Sequence, residues 1–166
     1  MTPLRADAQR NLDRLVDAAC ECFAEGGVGV SVDEIARRAG VGHGTVFRRF
    51  PTKDALLEAV LSQELDRLLV LAQGALGEAD AGAAFEGFFR AAAATYGRNR
   101  ALLEGIEHCR ELPQAVPLQQ ASDELVRRAQ KAGALRRDLT PDEVFELVPV
   151  ASRFPQVVLD GLRPPR

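Results

Sequence analysis

Apolar positions recur along this chain at the three- and four-residue spacing of an α-helix, and no stretch alternates as a strand would. Leu12, Leu15, Ala18, Ala19 and Phe23 share one face of a first helix. Val32, Ile35, Ala36 and Ala39 make a shorter stripe, and Val46 and Phe50, four apart, give the inward face of another helix from about Gly42 to Phe50. From Thr52 to about Gly74 the pattern Leu56, Leu57, Val60, Leu61, Leu65, Leu68, Leu69 predicts one long helix. Further helices are predicted over about 81–96, over 101–112 up to Pro113, and from Pro117 to about Ala132, with Asp80 and Gly133 as caps. Thr140-Pro141-Asp142-Glu143 opens another, with a hydroxyl N-cap, proline at the first helical position and acids in the first turn. Its stripe of Val144, Leu147, Val148 and Ala151 is interrupted by Pro155 before Val157, Val158, Leu159 and Leu162. The fold class is all-α.

The punctuation between residues 31 and 53 is denser than elsewhere. Ser31 followed by Glu34 is a capping box: the hydroxyl accepts an early backbone N–H and the carboxylate reaches back. Gly40 stands just past the last periodic residue, where a left-handed conformation is needed. Val41 plugs the corner, and Pro51 ends the second helix because the residue before a proline avoids helical geometry. Thr52 looks like the N-cap of the long helix, with Lys53 in its first turn. Together these predict a helix-turn-helix over about 31–50.

Charge follows the same geometry. Arg37, Arg38, Arg48, Arg49 and Lys53 are basic, and no Asp or Glu falls between positions 35 and 53. His43, Thr45, Phe47, Arg48 and Arg49 point away from Val46 and Phe50 to varying degrees. Such a helix suits the major groove of DNA, with phosphate contacts fixing register and side chains at base edges reading sequence. A basic run alone more often only solvates a helix face. Here cap, turn and apolar stripe all agree in register, which favours DNA.

These residues carry a family resemblance. Over residues 8–61 the chain resembles the DNA-binding region of the TetR family of bacterial transcriptional regulators. The matching positions are Leu12, Leu15, Ala18, Ala19, Phe23, Glu25-Gly26, Ser31, Ile35, Ala36, Ala39-Gly40-Val41, Gly44-Thr45, Phe50, Lys53 and Leu56. The resemblance implies a three-helix DNA-binding head (1–52), then a long connector helix opening a C-terminal helical ligand-binding and dimerisation domain (53–166). The family's usual DNA contacts map onto Ser31, Gly42, His43, Thr45, Phe47, Arg48 and Lys53; the charge pattern adds Arg38 and Arg49. Gly42 stands where the family often has serine, and Phe47, which has no hydroxyl, where tyrosine is common.

Composition limits the rest. Over 166 residues the net charge is −3 and the pI about 5.5, so positive charge must be confined to one surface. There is no apolar secretory stretch near the start and no run of about 18 apolar residues. A cytoplasmic location with reduced cysteines is therefore expected, and no membrane partner. Cys20 and Cys22 lie about 200° apart around their helix and cannot share a metal. Cys109, beside His108, has no second ligand at metal spacing. No metal or cofactor is expected, and nothing resembles an enzyme site.

A C-terminal pocket would take a small hydrophobic effector, with Phe85, Phe88, Phe89, Tyr96, Leu103, Ile106, His108 and Cys109 as candidate lining residues. Phenylalanines at this spacing are more often plain core. One recognition helix reads too few base pairs for useful specificity. A homodimer on a near-palindromic double-stranded operator is expected, although segment 140–166 is short for the family's usual four-helix interface. The function expected is a dimeric repressor released from its operator by an effector. The alternative is a helical regulator that has lost DNA binding and acts through protein contacts.

Overall fold

The computed structural model describes residues 3–165, and the side chains of residues 3–10 and 106 lie outside that description. The described residues form α-helices with one 3-10 turn and no strand. In order these are α1 (Pro3–Gly26), the 3-10 turn (Gly27–Gly29), α2 (Val32–Ala39), α3 (His43–Arg49) and α4 (Lys53–Leu76). Then come α5 (Ala81–Arg98), α6 (Arg100–Glu104), α7 (Ile106–Glu111) and α8 (Ala115–Lys131). The chain closes with α9 (Pro141–Glu146), α10 (Val148–Ala151) and α11 (Pro155–Leu162).

Two compact units result. The first holds the chain up to Gln63 together with Asn99–Cys109, so it runs past the motif boundary at 52/53 and takes in the first half of α4. Its core joins Leu15, Ala19 and Phe23 of α1 to Ile35, Ala36 and Val46, to Leu56, Leu57, Val60 and Leu61 of α4, and to Ala101 and Leu102 of α6. Phe23 and Ile35 are fully buried, each such side chain contributing about 1.5–3 kcal/mol. Gly105 divides the expected 101–112 helix into α6 and α7. It lies against α4, where an added Cβ would stand 3.3 Å from Leu61 Cδ1 and 2.7 Å from the Ala101 carbonyl oxygen.

The second unit, Glu64–Arg98 with the chain from Arg110 on, is built around α5, which packs on α8, α10 and α11. Asp80 caps α5, its Oδ1 accepting the Gly82 and Ala83 N–H groups at 2.9 and 3.0 Å. Phe85, Phe88 and Phe89 are buried, and the Phe145 ring lies 6.1 and 6.4 Å from those of Phe88 and Phe89. Arg128 donates to the carbonyls of Leu76 and Glu78, satisfying the open end of α4. Two prolines act differently from expectation. Pro117 lies inside the first turn of α8, where a missing N–H costs nothing, so the helix begins at Ala115. Pro149 cannot continue the ladder from α9, and the expected helix divides into α9 and α10.

Candidate nucleic-acid interface

The interface is assembled from α2, its turn and α3. Ser31 is extended (φ −81°, ψ 149°) and its Oγ accepts the Glu34 N–H at 3.2 Å. Only this half of the expected capping box forms, because the Glu34 carboxylate faces Arg37, 4.0 Å away. The reciprocal box occurs instead at Thr140 and Glu143, where both halves are present. Gly40 takes the left-handed conformation (φ 68°). Its N–H reaches the Arg37 carbonyl at 3.2 Å while Val41 N–H reaches that of Ala36 at 3.0 Å, the paired bonds of a Schellman motif. The turn's direction is thereby fixed by backbone bonds at one glycine.

Gly42 precedes α3 in extended conformation, and its carbonyl accepts the Thr45 and Val46 N–H groups at 2.8 and 3.3 Å. Val46 is buried at 1% exposure, and Phe50 is half-buried behind it. Residues two positions either side of Val46 lie about 200° away around the helix. Gly44 and Arg48 are accordingly exposed; His43, Thr45 and Arg49 are exposed as well, and Phe47 is half-buried. Arg48 donates to Thr45 Oγ1 at 3.1 Å, which steadies a long side chain on the outward face. Thr52 caps α4 by accepting the Ala55 N–H at 3.0 Å, and Lys53 stands half-buried in that helix's first turn.

The acidic partners of this face come from outside positions 35–53. Asp33 Oδ1 meets His43 Nδ1 at 2.5 Å, and the imidazole lies against Phe47 with ring centroids 4.6 Å apart. Arg38 pairs with Glu25 at 2.9 Å and stands 3.9 Å from Glu21, tying α2 to α1. That hydrogen bond holds the Glu25 carboxyl below its usual range. Arg38, a candidate DNA contact, thus also braces α2 against α1. The acids at 21, 25 and 33 escaped sequence reasoning; the trace they leave is Glu21 and Glu25 standing four apart on α1.

The eight residues expected to line one pocket fall in different units. Phe85, Phe88, Phe89 and Tyr96 belong to the second; Leu103, His108 and Cys109 belong to the first, and the Ile106 side chain lies outside the described residues. Phe88 and Phe89 are core, Tyr96 is half-buried, and Leu103 and His108 are exposed. Burial pushes the Cys109 thiol up to about 11, and Cys22 is buried and raised for the same reason. Both are packing groups in the thiol form. An open groove of about 400 Å³ on the second unit is lined by Gly82, Phe85, Glu86, Leu135, Leu159 and Arg163 among others, so Phe85 alone of the candidates with described side chains reaches it. Among the described residues no group of His, Cys, Asp and Glu could hold a metal, and no helix is long and apolar enough to cross a membrane.

An all-helical regulator with a helix-turn-helix DNA-binding head is the class that this fold and face define. Comparison with known proteins agrees. Residues 15–60 match the profile of bacterial regulatory proteins of the tetR family, and residues 80–164 that of the SbtR-like transcriptional regulator C-terminal domain. A TetR regulatory protein from Mycobacterium vanbaalenii is 39% identical, covering 98% of this chain and 100% of its own, with a TM-score of 0.67. A TetR regulator from Streptomyces coelicolor is 30% identical over 93% of this chain and 99% of its own, with a TM-score of 0.63. HTH-type transcriptional regulators of Staphylococcus aureus are 38% identical over 64 residues, 38% of this chain and 35% of the relatives' own length. The chain belongs to the TetR family of bacterial transcriptional regulators.

Proposed function

We propose that this protein is a dimeric repressor that reads a near-palindromic DNA operator and is released from it by a small hydrophobic effector. The observation that carries DNA reading is α3: Val46 is its buried anchor, and Thr45, Arg48 and Arg49 are presented outward on a helix without an acid. Ser31, Gly42, His43, Phe47 and Lys53 complete the proposed contact set around that core. Thr45 and His43 are positioned for base edges; Arg48, Arg49 and Lys53 suit phosphates.

Dimerisation is supported by the end of the second unit. Val150, Phe154 and Val157 are 52%, 59% and 71% exposed, while Leu159 and Leu162 of the same segment are buried. Apolar side chains exposed on the side opposite a buried stripe fit a second copy of the chain. Two recognition helices related by a two-fold axis would meet half-sites roughly 34–36 Å apart, or a related spacing. The effector fits the second unit, where Phe85 and Leu159 give the groove apolar walls and Arg163 a polar rim. Release requires that the effector bind more tightly to a dimer whose recognition helices no longer match successive grooves.

The test is a salt titration of binding to duplex DNA from the gene's own promoter region. Affinity of the wild type should fall steeply with salt, and Arg48→Ala should shallow the slope by about one. Absence of salt-sensitive binding in the wild type would instead favour a regulator acting through protein contacts.

A further inference from the structure

Glu104, the last residue of α6, reaches back to the turn that joins α1 to α2. Its Oε2 accepts the Val28 N–H at 2.8 Å, across 76 positions of sequence. Its Oε1 accepts from Arg100 at 2.8 Å, one helical turn earlier. These two interactions, the backbone bond first, hold the Glu104 carboxyl below the usual carboxylate range. The turn is shaped to admit it. Gly27 is buried with φ 69°, and a Cβ there would stand 2.2 Å from Glu104 Oε2. The positive φ favours glycine at position 27, and the missing Cβ leaves the room the carboxylate occupies, so a side chain there would displace Glu104.

The start of α6 is held as firmly as its end. Asn99 is buried at 5% exposure, and its Oδ1 accepts the Ala101 N–H at 3.1 Å. α6 packs on both α1 and the 3-10 turn. The segment it grips, Gly26-Gly27-Val28-Gly29, contains three glycines and has the least intrinsic stiffness of any stretch in the head. Two residues further on, Ser31 caps α2, the first helix of the DNA-reading motif.

We propose that Glu104 is a positioning residue of the DNA-binding head: its carboxylate fixes the α1–α2 turn, and with it the direction in which α2 and α3 are presented to the duplex. The consequence for DNA rests on the operator-binding reading; the fixing of the turn does not. A residue outside the helix-turn-helix by sequence thus sets the motif's pose without touching nucleic acid.

The experiment uses the full chain with Glu104→Ala, Glu104→Gln and Gly27→Ala. Backbone amide exchange is followed in the free protein, and affinity against salt is measured on a duplex selected by the wild type. Glu104→Ala is expected to speed exchange over residues 28–31 about tenfold and to weaken operator binding by a similar factor. The salt slope should stay that of the wild type, since no phosphate contact is lost. Glu104→Gln keeps an acceptor oxygen for Val28 and should restore most of both, whereas Gly27→Ala should resemble Glu104→Ala. Unchanged exchange in Glu104→Ala, or a glutamine variant as impaired as the alanine one, would overturn the proposal. A wild type without salt-dependent affinity would remove the operator reading, and the exchange measurements would still decide the role of Glu104 in the turn.

Discussion

His43 and Asp33 face each other across the helix-turn-helix, Nδ1 to Oδ1 at 2.5 Å, with the imidazole resting on the Phe47 ring. The first residue of α3 is thereby oriented by a carboxylate from α2. With Nδ1–H donating to Asp33, Nε2 is left as the ring nitrogen available to a partner. The carboxylate itself, with a side chain 79% exposed, stands beside the face proposed to meet phosphates.

Asp33→Asn separates these two roles. The amide retains an acceptor for Nδ1–H but removes a charge that opposes the duplex. Binding to non-specific DNA should tighten by ~1 kcal/mol, and the preference for the operator should narrow. Fluorescence anisotropy with operator and scrambled duplexes reads both. Unchanged non-specific affinity would mean that Asp33 points away from bound DNA.

Gly40→Ala isolates the backbone requirement of the turn. No heavy atom lies within 4 Å of the Cβ that would be added, so no clash contributes, and the cost comes from φ 68° alone. A loss of about 1–2 kcal/mol in denaturant unfolding is expected, with Gly40→Asn recovering part of it because asparagine tolerates the left-handed region. An alanine variant as stable as the wild type would show that the Schellman turn has another conformation open to it.

What the sequence disclosed depended on range. The cap at Ser31, the turn at Gly40 and the buried Val46 are local constraints, each decided by neighbours within one or two helical turns, and they locate the face proposed to read DNA. The bracing role of Arg38 is not legible locally, because its partners, Glu21 and Glu25, lie on another helix. Glu104 was invisible for the same reason, its acceptor role being defined by a turn 76 positions away. The phenylalanines of α5 show a different limit: helical spacing reveals that Phe85, Phe88 and Phe89 share a face, but not that Phe85 alone reaches a groove. Proline was ambiguous in kind, ending α3 at Pro51 yet sitting within the first turn of α8 at Pro117.

Charge placed on the exposed apolar segment tests the dimer. Phe154→Glu and Val157→Asp remove little buried surface within the chain, since both positions are more than half exposed. Each variant should melt near the wild type at high dilution, yet sediment as a monomer at concentrations where the wild type is a dimer. Operator affinity should fall by a factor of a hundred or more, on the order of 3 kcal/mol, because one half-site contributes little alone. Dimers persisting in both variants would move the interface to another surface.

Acid sensitivity should be readable at one pair in the second unit. Arg136 donates to both oxygens of Asp138, at 2.7 and 2.5 Å, while its own N–H bonds the Leu162 carbonyl at the end of α11. The Arg136 guanidinium holds the Asp138 carboxyl down at about 2. An unfolded chain would protonate it near ~3.9. The folded state therefore binds fewer protons across that interval, so the pair's contribution is complete above about pH 4 and is lost as pH falls through about 2. Asp138→Asn should consequently melt below the wild type at pH 7 by a small margin, as befits an exposed pair. The two melting curves should converge as pH approaches 2, although acid lowers both. A gap that persists unchanged into that range would assign the effect of Asp138 to geometry rather than to its charge.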